Sequence, residues 1–125
     1  MKKVISIPNS PAPIGPYSPA IQKNDTLYVS GQIPLDPKTG ELQLETIQQS
    51  AKQVMENVKA LVEAAGFKMS DVVKCSIFLK SMDDFAAVNE VYGSYFKIDP
   101  PARETVAVSK LPLDVPVEIS CIAIR

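Results

Sequence analysis

The sequence predicts an α+β sandwich, in which a six-stranded mixed sheet carries two helices on one of its faces. Three observations lead there. Two segments have helical periodicity, and each is flanked by short β-type runs. The elements follow in the order three strands, helix, strand, helix, two strands. The last run, residues 115–124, alternates so that Val115, Val117, Ile119, Cys121 and Ala123 share one side and Pro116, Glu118, Ser120, Ile122 and Ile124 the other. Both sides are substantially apolar, as in a strand buried on two faces. Two helices cover only one face, so the other is expected to meet a second subunit in a closed homo-oligomer. At 125 residues the chain is expected to form a single domain, 1–125.

Residues 4–7 read as a short first strand, followed by a proline-rich loop over 8–16. Residues 17–23 and 26–32 read as a hairpin turning at Asn24-Asp25. Residues 34–40, Pro-Leu-Asp-Pro-Lys-Thr-Gly, carry turn chemistry throughout. In the first helix, over 46–65, Ile47, Ala51, Val54, Val58, Leu61 and Ala65 form one stripe, with Thr46 as cap and Gly66 as terminator. Residues 72–79 read as a central strand. Ser81-Met82-Asp83-Asp84 resembles a cap with an acidic third position, opening a helix over 82–96 that buries Phe85, Val88, Tyr92 and either Tyr95 or Phe96. Strands over 105–108 and 115–124 complete the chain.

Composition excludes several chemistries. Thirteen Lys and Arg against fourteen Asp and Glu give a net charge of −1, without the basic footprint of a nucleic-acid binder. The absence of apolar runs of signal-peptide or membrane length leads to the expectation of a cytosolic protein with no membrane partner. The chain has no histidine, which rules out a histidine-activated serine or cysteine and removes the usual nitrogen ligands of zinc. Its five glycines are scattered, so no phosphate loop is present. Cys75 and Cys121 fall in apolar strand patterns and read as buried small hydrophobes. Any chemistry must therefore use arginine, carboxylate, hydroxyl and backbone groups.

Two charged residues stand out. Arg103 follows Pro100-Pro101-Ala102, a stiff approach that would let its planar fork meet a carboxylate at little entropic cost. On local spacing alone, a solvated surface arginine is the commoner outcome. Glu118 lies within an apolar strand, where a carboxylate is costly unless paired or hydrogen-bonded. It reads equally as a rim position or structural ion pair, or as an acid/base group holding a water. Tyr17, after Ile14-Gly15-Pro16, is either half-buried packing or a hydroxyl aimed into a cleft. Ser30-Gly31 ends a strand where a bulge or a close ligand approach would suit glycine. Asn89 lies beside the apolar stripe of the second helix and reads as solvent-facing unless a site lies there.

Taken together, Ile14-Gly15-Pro16-Tyr17-Ser18, Val29-Ser30-Gly31-Gln32-Ile33-Pro34, Asp83-Asp84-Phe85 through Asn89 to Tyr92, Pro101-Ala102-Arg103, Leu111-Pro112 and Val117-Glu118-Ile119 resemble the RidA (YjgF) family of reactive-intermediate deaminases over nearly the whole chain. The resemblance implies a chorismate-mutase-like fold assembled as a homotrimer, with clefts between subunits. It also implies cofactor-free hydrolysis of 2-imino acids (2-iminobutanoate, 2-iminopropanoate), released by pyridoxal-phosphate-dependent dehydratases, to 2-keto acids and ammonia. Arg103 then corresponds to the carboxylate-binding arginine and Glu118 to the glutamate that positions water. Tyr17, Ser30 and Gly31 match the cleft wall, with Asn89 near it. Glu104-Thr105 departs from the Ser-Cys common after this arginine. Thr105 retains a backbone amide and a hydroxyl for substrate, and strand alternation is expected to turn Glu104 toward the face of Val106, away from Arg103. Two other roles attach to the resemblance: a keto-acid-binding regulatory or chaperone-like trimer, and an endoribonuclease, which the charge and the missing histidine disfavour.

Overall fold

The Thr46 hydroxyl opens the first helix, α1 (Ile47–Ala64), by accepting from the Gln49 amide at 3.0 Å. The apolar stripe of α1 then buries Ala51, Val54, Val58 and Leu61. Its end is a Schellman turn. Gly66, at φ 80°, donates to the Glu63 carbonyl at 2.9 Å, and Phe67 to that of Val62 at 3.1 Å. Arg125 seals this end, donating to the Gly66 carbonyl at 2.9 Å with its guanidinium 4.4 Å from the centre of the Phe67 ring.

The structure is a computed structural model describing residues 1–8, 10 and 12–125, so Asn9 and Pro11 of the proline-rich loop lie outside the described residues. The remaining elements are β1 (Lys3–Ile5), β2 (Ala20–Lys23), β3 (Thr26–Gln32), β4 (Val72–Leu79), α2 (Phe85–Gly93), β5 (Ala102–Ala107) and β6 (Val117–Ile124). The six strands form one mixed sheet in the order β1-β2-β3-β6-β4-β5. Neighbours are antiparallel except β4 and β5, which are parallel because α2 carries the chain back between them. Among the described residues no helix is long and apolar enough to cross a membrane.

Several boundaries differ from the sequence-based expectation. β2 begins at Ala20, not Tyr17, since Pro19 has no N–H to give a ladder. β5 begins at Ala102, three residues before the expected Thr105, so the strand starts as soon as the two prolines end and includes Arg103. β6 starts at Val117, because Pro116 and a tight turn over Pro112–Asp114, with Leu113 and Asp114 at φ 55° and 57°, precede it. The second helix begins as a single 3₁₀ turn, Met82–Asp84, which Ser81 caps by accepting from the Asp83 amide at 3.1 Å. It stops at Gly93 instead of running to Phe96.

Both helices lie on one face of the sheet, as expected. The core there comprises Val54, Met55, Val58 and Val62 of α1 and Val88 and Tyr92 of α2, against Leu27, Ile77, Leu79, Val117 and Ile119 of the strands. The other face carries Tyr28, Val106 and Ile124, each roughly half exposed, together with Glu104, Glu118 and Ile122. Cys75 and Cys121 are buried, free and directly opposite one another across β4 and β6. Burial pushes the Cys75 thiol up, and the Cys121 thiol up to about 12, so both behave as apolar filler.

Asn57 and Ser50, both buried and polar, were not singled out from sequence. The Asn57 amide on α1 donates to the carbonyls of Ile33 at 3.0 Å and Leu35 at 2.8 Å, and accepts from Gln53 at 2.9 Å. It thereby ties down the chain leaving β3. Asn57→Ala strands these carbonyls and is expected to cost about 1–3 kcal/mol. Urea unfolding at constant m-value will measure this, and a midpoint unchanged from wild type would refute the anchoring role.

Candidate functional site

The residues singled out from sequence occupy two groups on opposite sides of the sheet. Register decides which side each takes, because cross-strand partners point the same way. Ile77 pairs with both Thr105 and Ile119, and Cys75 with both Arg103 and Cys121, so Arg103 and Thr105 face the helices. Phe78 pairs with both Val106 and Glu118, so Glu118 belongs to the open face. Within one chain, then, the fold does not bring Arg103 and Glu118 into a common cleft.

On the helix side, β5 is an edge strand and Arg103 is half-buried at that edge. Its guanidinium carbon lies 5.0 Å from the centre of the Tyr92 ring and 5.8 Å from that of Phe85. Asn89 stands four residues after Phe85 and three before Tyr92, which puts it on the same face of α2. Among the described residues Arg103 has neither an ion pair nor a side-chain hydrogen bond, leaving its donors free for an anion. Two buried hydroxyls in this group, Tyr92 and Thr105, also lack a hydrogen-bond partner among the described residues. The Tyr92 hydroxyl is pushed up chiefly by burial and is neutral, with a smaller contribution from the nearby Cys75.

On the open side, β3 carries one extra residue opposite β6. Val29 pairs with Cys121 and Gln32 with Ile119, so Ser30 and Gly31 together oppose Ser120 as a bulge. The bulge brings Gly31 against Glu118: a methyl group on Gly31 would lie 2.6 Å from Glu118 Cδ and 3.0 Å from Cγ. Burial raises the proton affinity of the Glu118 carboxyl, and no ion pair or side-chain hydrogen bond compensates it among the described residues. The Ser30 hydroxyl is spent on structure, donating to the Ser18 carbonyl at 2.6 Å. Tyr17, one residue earlier, is 55% exposed. Its amide donates to the Gly15 carbonyl at 3.0 Å in the tight turn before β2.

Glu104 takes the face of Val106, as alternation predicts, and pairs there with Lys74 at 2.8 Å and with the Ser76 hydroxyl. Lys74 and Ser76 hold its carboxyl below the usual range. Its charge therefore points away from Arg103 and leaves that side cationic. From sequence, Phe85 and Tyr92 read as helix core and as part of the stretch that carries the family resemblance, not as neighbours of Arg103; their spacing around Asn89 was the signal available.

The family model described as "Endoribonuclease L-PSP" matches residues 7–125. A RutC family protein of Pyrococcus horikoshii is 52% identical over 125 residues, spanning 100% of this chain and 99% of the relative. The 2-iminobutanoate/2-iminopropanoate deaminase of Salmonella typhimurium is 47% identical over 128 residues, spanning 100% and 99%. The crystal structure of the YjgF gene product of Escherichia coli superposes with a TM-score of 0.92 at 45% identity, covering 98% of both chains. The chain belongs to the RidA (YjgF) family. Its six-stranded α+β architecture is the family's own.

Proposed function

We propose that this RidA-family chain assembles as a homotrimer and hydrolyses 2-imino acids to 2-keto acids and ammonia in clefts between protomers. The observation that carries the reading is the division of the site. Among the described residues, a guanidinium with no partner lies on one side of the sheet and a carboxylate with no partner on the other, so the two groups do not meet within one chain. Apposing the β5 edge of one protomer to the open face of the next would join them. The half-exposed apolar side chains Tyr28, Val106 and Ile124 supply a surface for that contact. The deaminase name of the Salmonella relative supports the same chemistry.

In this reading Arg103 takes the substrate carboxylate through two parallel N–H···O bonds and fixes the imine carbon. Glu118 of the neighbouring protomer takes a proton from a water whose oxygen adds to that carbon. The C=N π pair moves to nitrogen, which takes that proton from Glu118. Glu118 then accepts the hydroxyl proton of the tetrahedral adduct and passes it to the amine nitrogen as the C–N bond breaks, so ammonia leaves, the keto C=O forms and Glu118 ends as the carboxylate it began as. Atoms balance as imino acid plus water giving keto acid plus ammonia, with no cofactor in the step. Thr105 and the Gly31 backbone complete the cleft walls, with Tyr17, Ser30 and Asn89 around them.

The test couples a threonine dehydratase to this protein and follows 2-oxobutanoate, with semicarbazide trapping the imine. Ketone formation above the spontaneous rate supports the proposal. Binding of 2-oxobutanoate without turnover would favour the regulatory module instead. RNA cleavage, which the family description suggests, has little support in a chain with net charge −1 and no histidine. Light scattering is expected to report three protomers, and a monomer would remove the composite site.

Gly31→Ala offers a finer probe. The new methyl must push the flexible Glu118 carboxylate aside, which changes stability little. Displacing the base by about 1 Å is expected to lower kcat/KM roughly 10²-fold. Unchanged kinetics would mean that the carboxylate position at the bulge is irrelevant.

A further inference from the structure

We propose that Phe85 and Tyr92 form an aromatic shelf that positions the Arg103 guanidinium, setting how tightly the site takes an α-carboxylate. The proposal rests on the carboxylate-binding reading of Arg103 and adds two residues that act through it. A guanidinium has two flat faces and an edge of in-plane N–H donors. Here the guanidinium carbon is within 6 Å of both ring centres, at 5.0 Å from Tyr92 and 5.8 Å from Phe85. Aromatic contact restrains the group without consuming any of its N–H donors. Among the described residues no carboxylate or carbonyl binds those donors, so the rings are the restraint the protomer supplies.

The shelf is itself well fixed. Tyr92 is 5% exposed and packs against Phe96, with ring centres 5.0 Å apart. Phe85 is half-buried at the first turn of α2, held by the Ser81-capped turn before it. The pair spans two turns of the helix, matching a long side chain lying along its surface. The Tyr92 hydroxyl has no hydrogen-bond partner among the described residues, which leaves the ring as the part of Tyr92 that serves Arg103. An arginine held in this way binds a carboxylate without first losing the rotamer freedom of a solvated side chain.

The test compares Phe85→Leu, Tyr92→Leu and Tyr92→Phe with wild type. The readouts are KM and kcat for the dehydratase-generated imine, the Kd for 2-oxobutanoate, and the ¹⁵Nε order parameter of Arg103. Either leucine variant is expected to raise KM and Kd about tenfold, the loss of roughly one cation–π contact, with kcat within about threefold of wild type. The Arg103 Nε order parameter falls in both. Tyr92→Phe keeps the ring and is expected to restore wild-type values on every readout. Unchanged Kd and order parameter in Phe85→Leu would overturn the shelf, and so would a Tyr92→Phe variant as impaired as Tyr92→Leu. If Tyr92→Leu fails to fold, the half-buried Phe85 position decides. If wild type shows no turnover, the deaminase reading fails alone, and the shelf is judged on keto-acid affinity and Arg103 order.

Discussion

Replacing Arg103 by alanine is expected to return ammonia release to the spontaneous rate while the oligomer stays intact. Arg103 stands at a sheet edge and makes no ion pair among the described residues, so its removal leaves no charge stranded in the core. What is lost is the grip on the substrate. Two charge-assisted hydrogen bonds at about 1.5–3 kcal/mol each correspond to roughly 10²–10⁴ in kcat/KM. Arg103→Lys keeps the charge but not the fork, and it is expected to remain severely impaired. Steady-state kinetics in the coupled assay, with light scattering as the control for assembly, check both variants. Near-normal turnover by either would remove the carboxylate clamp from the mechanism.

The second large effect is expected at Glu118. Glu118→Gln retains the shape of the side chain but cannot accept a proton, so hydrolysis falls by about 10²–10⁴ while 2-oxobutanoate still binds. Burial raises the proton affinity of this carboxyl, so the acid limb of kcat/KM is expected above its ordinary value of 4.5. Below that inflection the group is protonated and cannot serve as base, so activity falls as pH falls. The limb disappears in Glu118→Gln. An inflection at or below 4.5 would mean that a cation compensates the carboxylate in the free enzyme.

Because the two groups lie on opposite sides of the sheet, the variants are also expected to complement one another. Inactive Arg103→Ala and Glu118→Gln chains, unfolded and refolded together at equal ratio, rebuild sites that draw each wild-type group from a different protomer. In a cyclic trimer of random composition about a quarter of the sites are restored. A mixture that stays inactive would refute a site divided between protomers, even if each single variant behaved as expected.

Local patterns in the chain carried much of the architecture. The stripe from Ile47 to Leu61, the Thr46 cap and the Gly66 terminator place α1 within a residue of its observed limits, because nearest-neighbour geometry governs helix ends. The strand ends were less legible. β5 begins at Ala102 because β4 offers it a parallel partner, and that partner is 28 residues away in sequence. Asn57 escaped notice for the same reason: its acceptors at Ile33 and Leu35 lie across the fold, and an asparagine in a helix reads as solvent-facing.

The site divides similarly. The stiff proline approach to Arg103, the apolar strand around Glu118 and the strand-end glycine at Gly31 drew attention to those residues, Asn89 gained a site role only through the family resemblance, and alternation turned Glu104 away from Arg103, as register confirms. Phe85 and Tyr92 read as core residues, since periodicity cannot distinguish a ring that packs on leucine from one that carries a guanidinium. The α+β class, the helix stripe and caps, and the polar residues in unusual surroundings were all legible in local pattern. That Arg103 and Glu118 lie on opposite sides of one sheet emerged from the strand register alone. Side-chain direction in a strand follows from pairing with distant strands, and a one-residue change of register would reverse it.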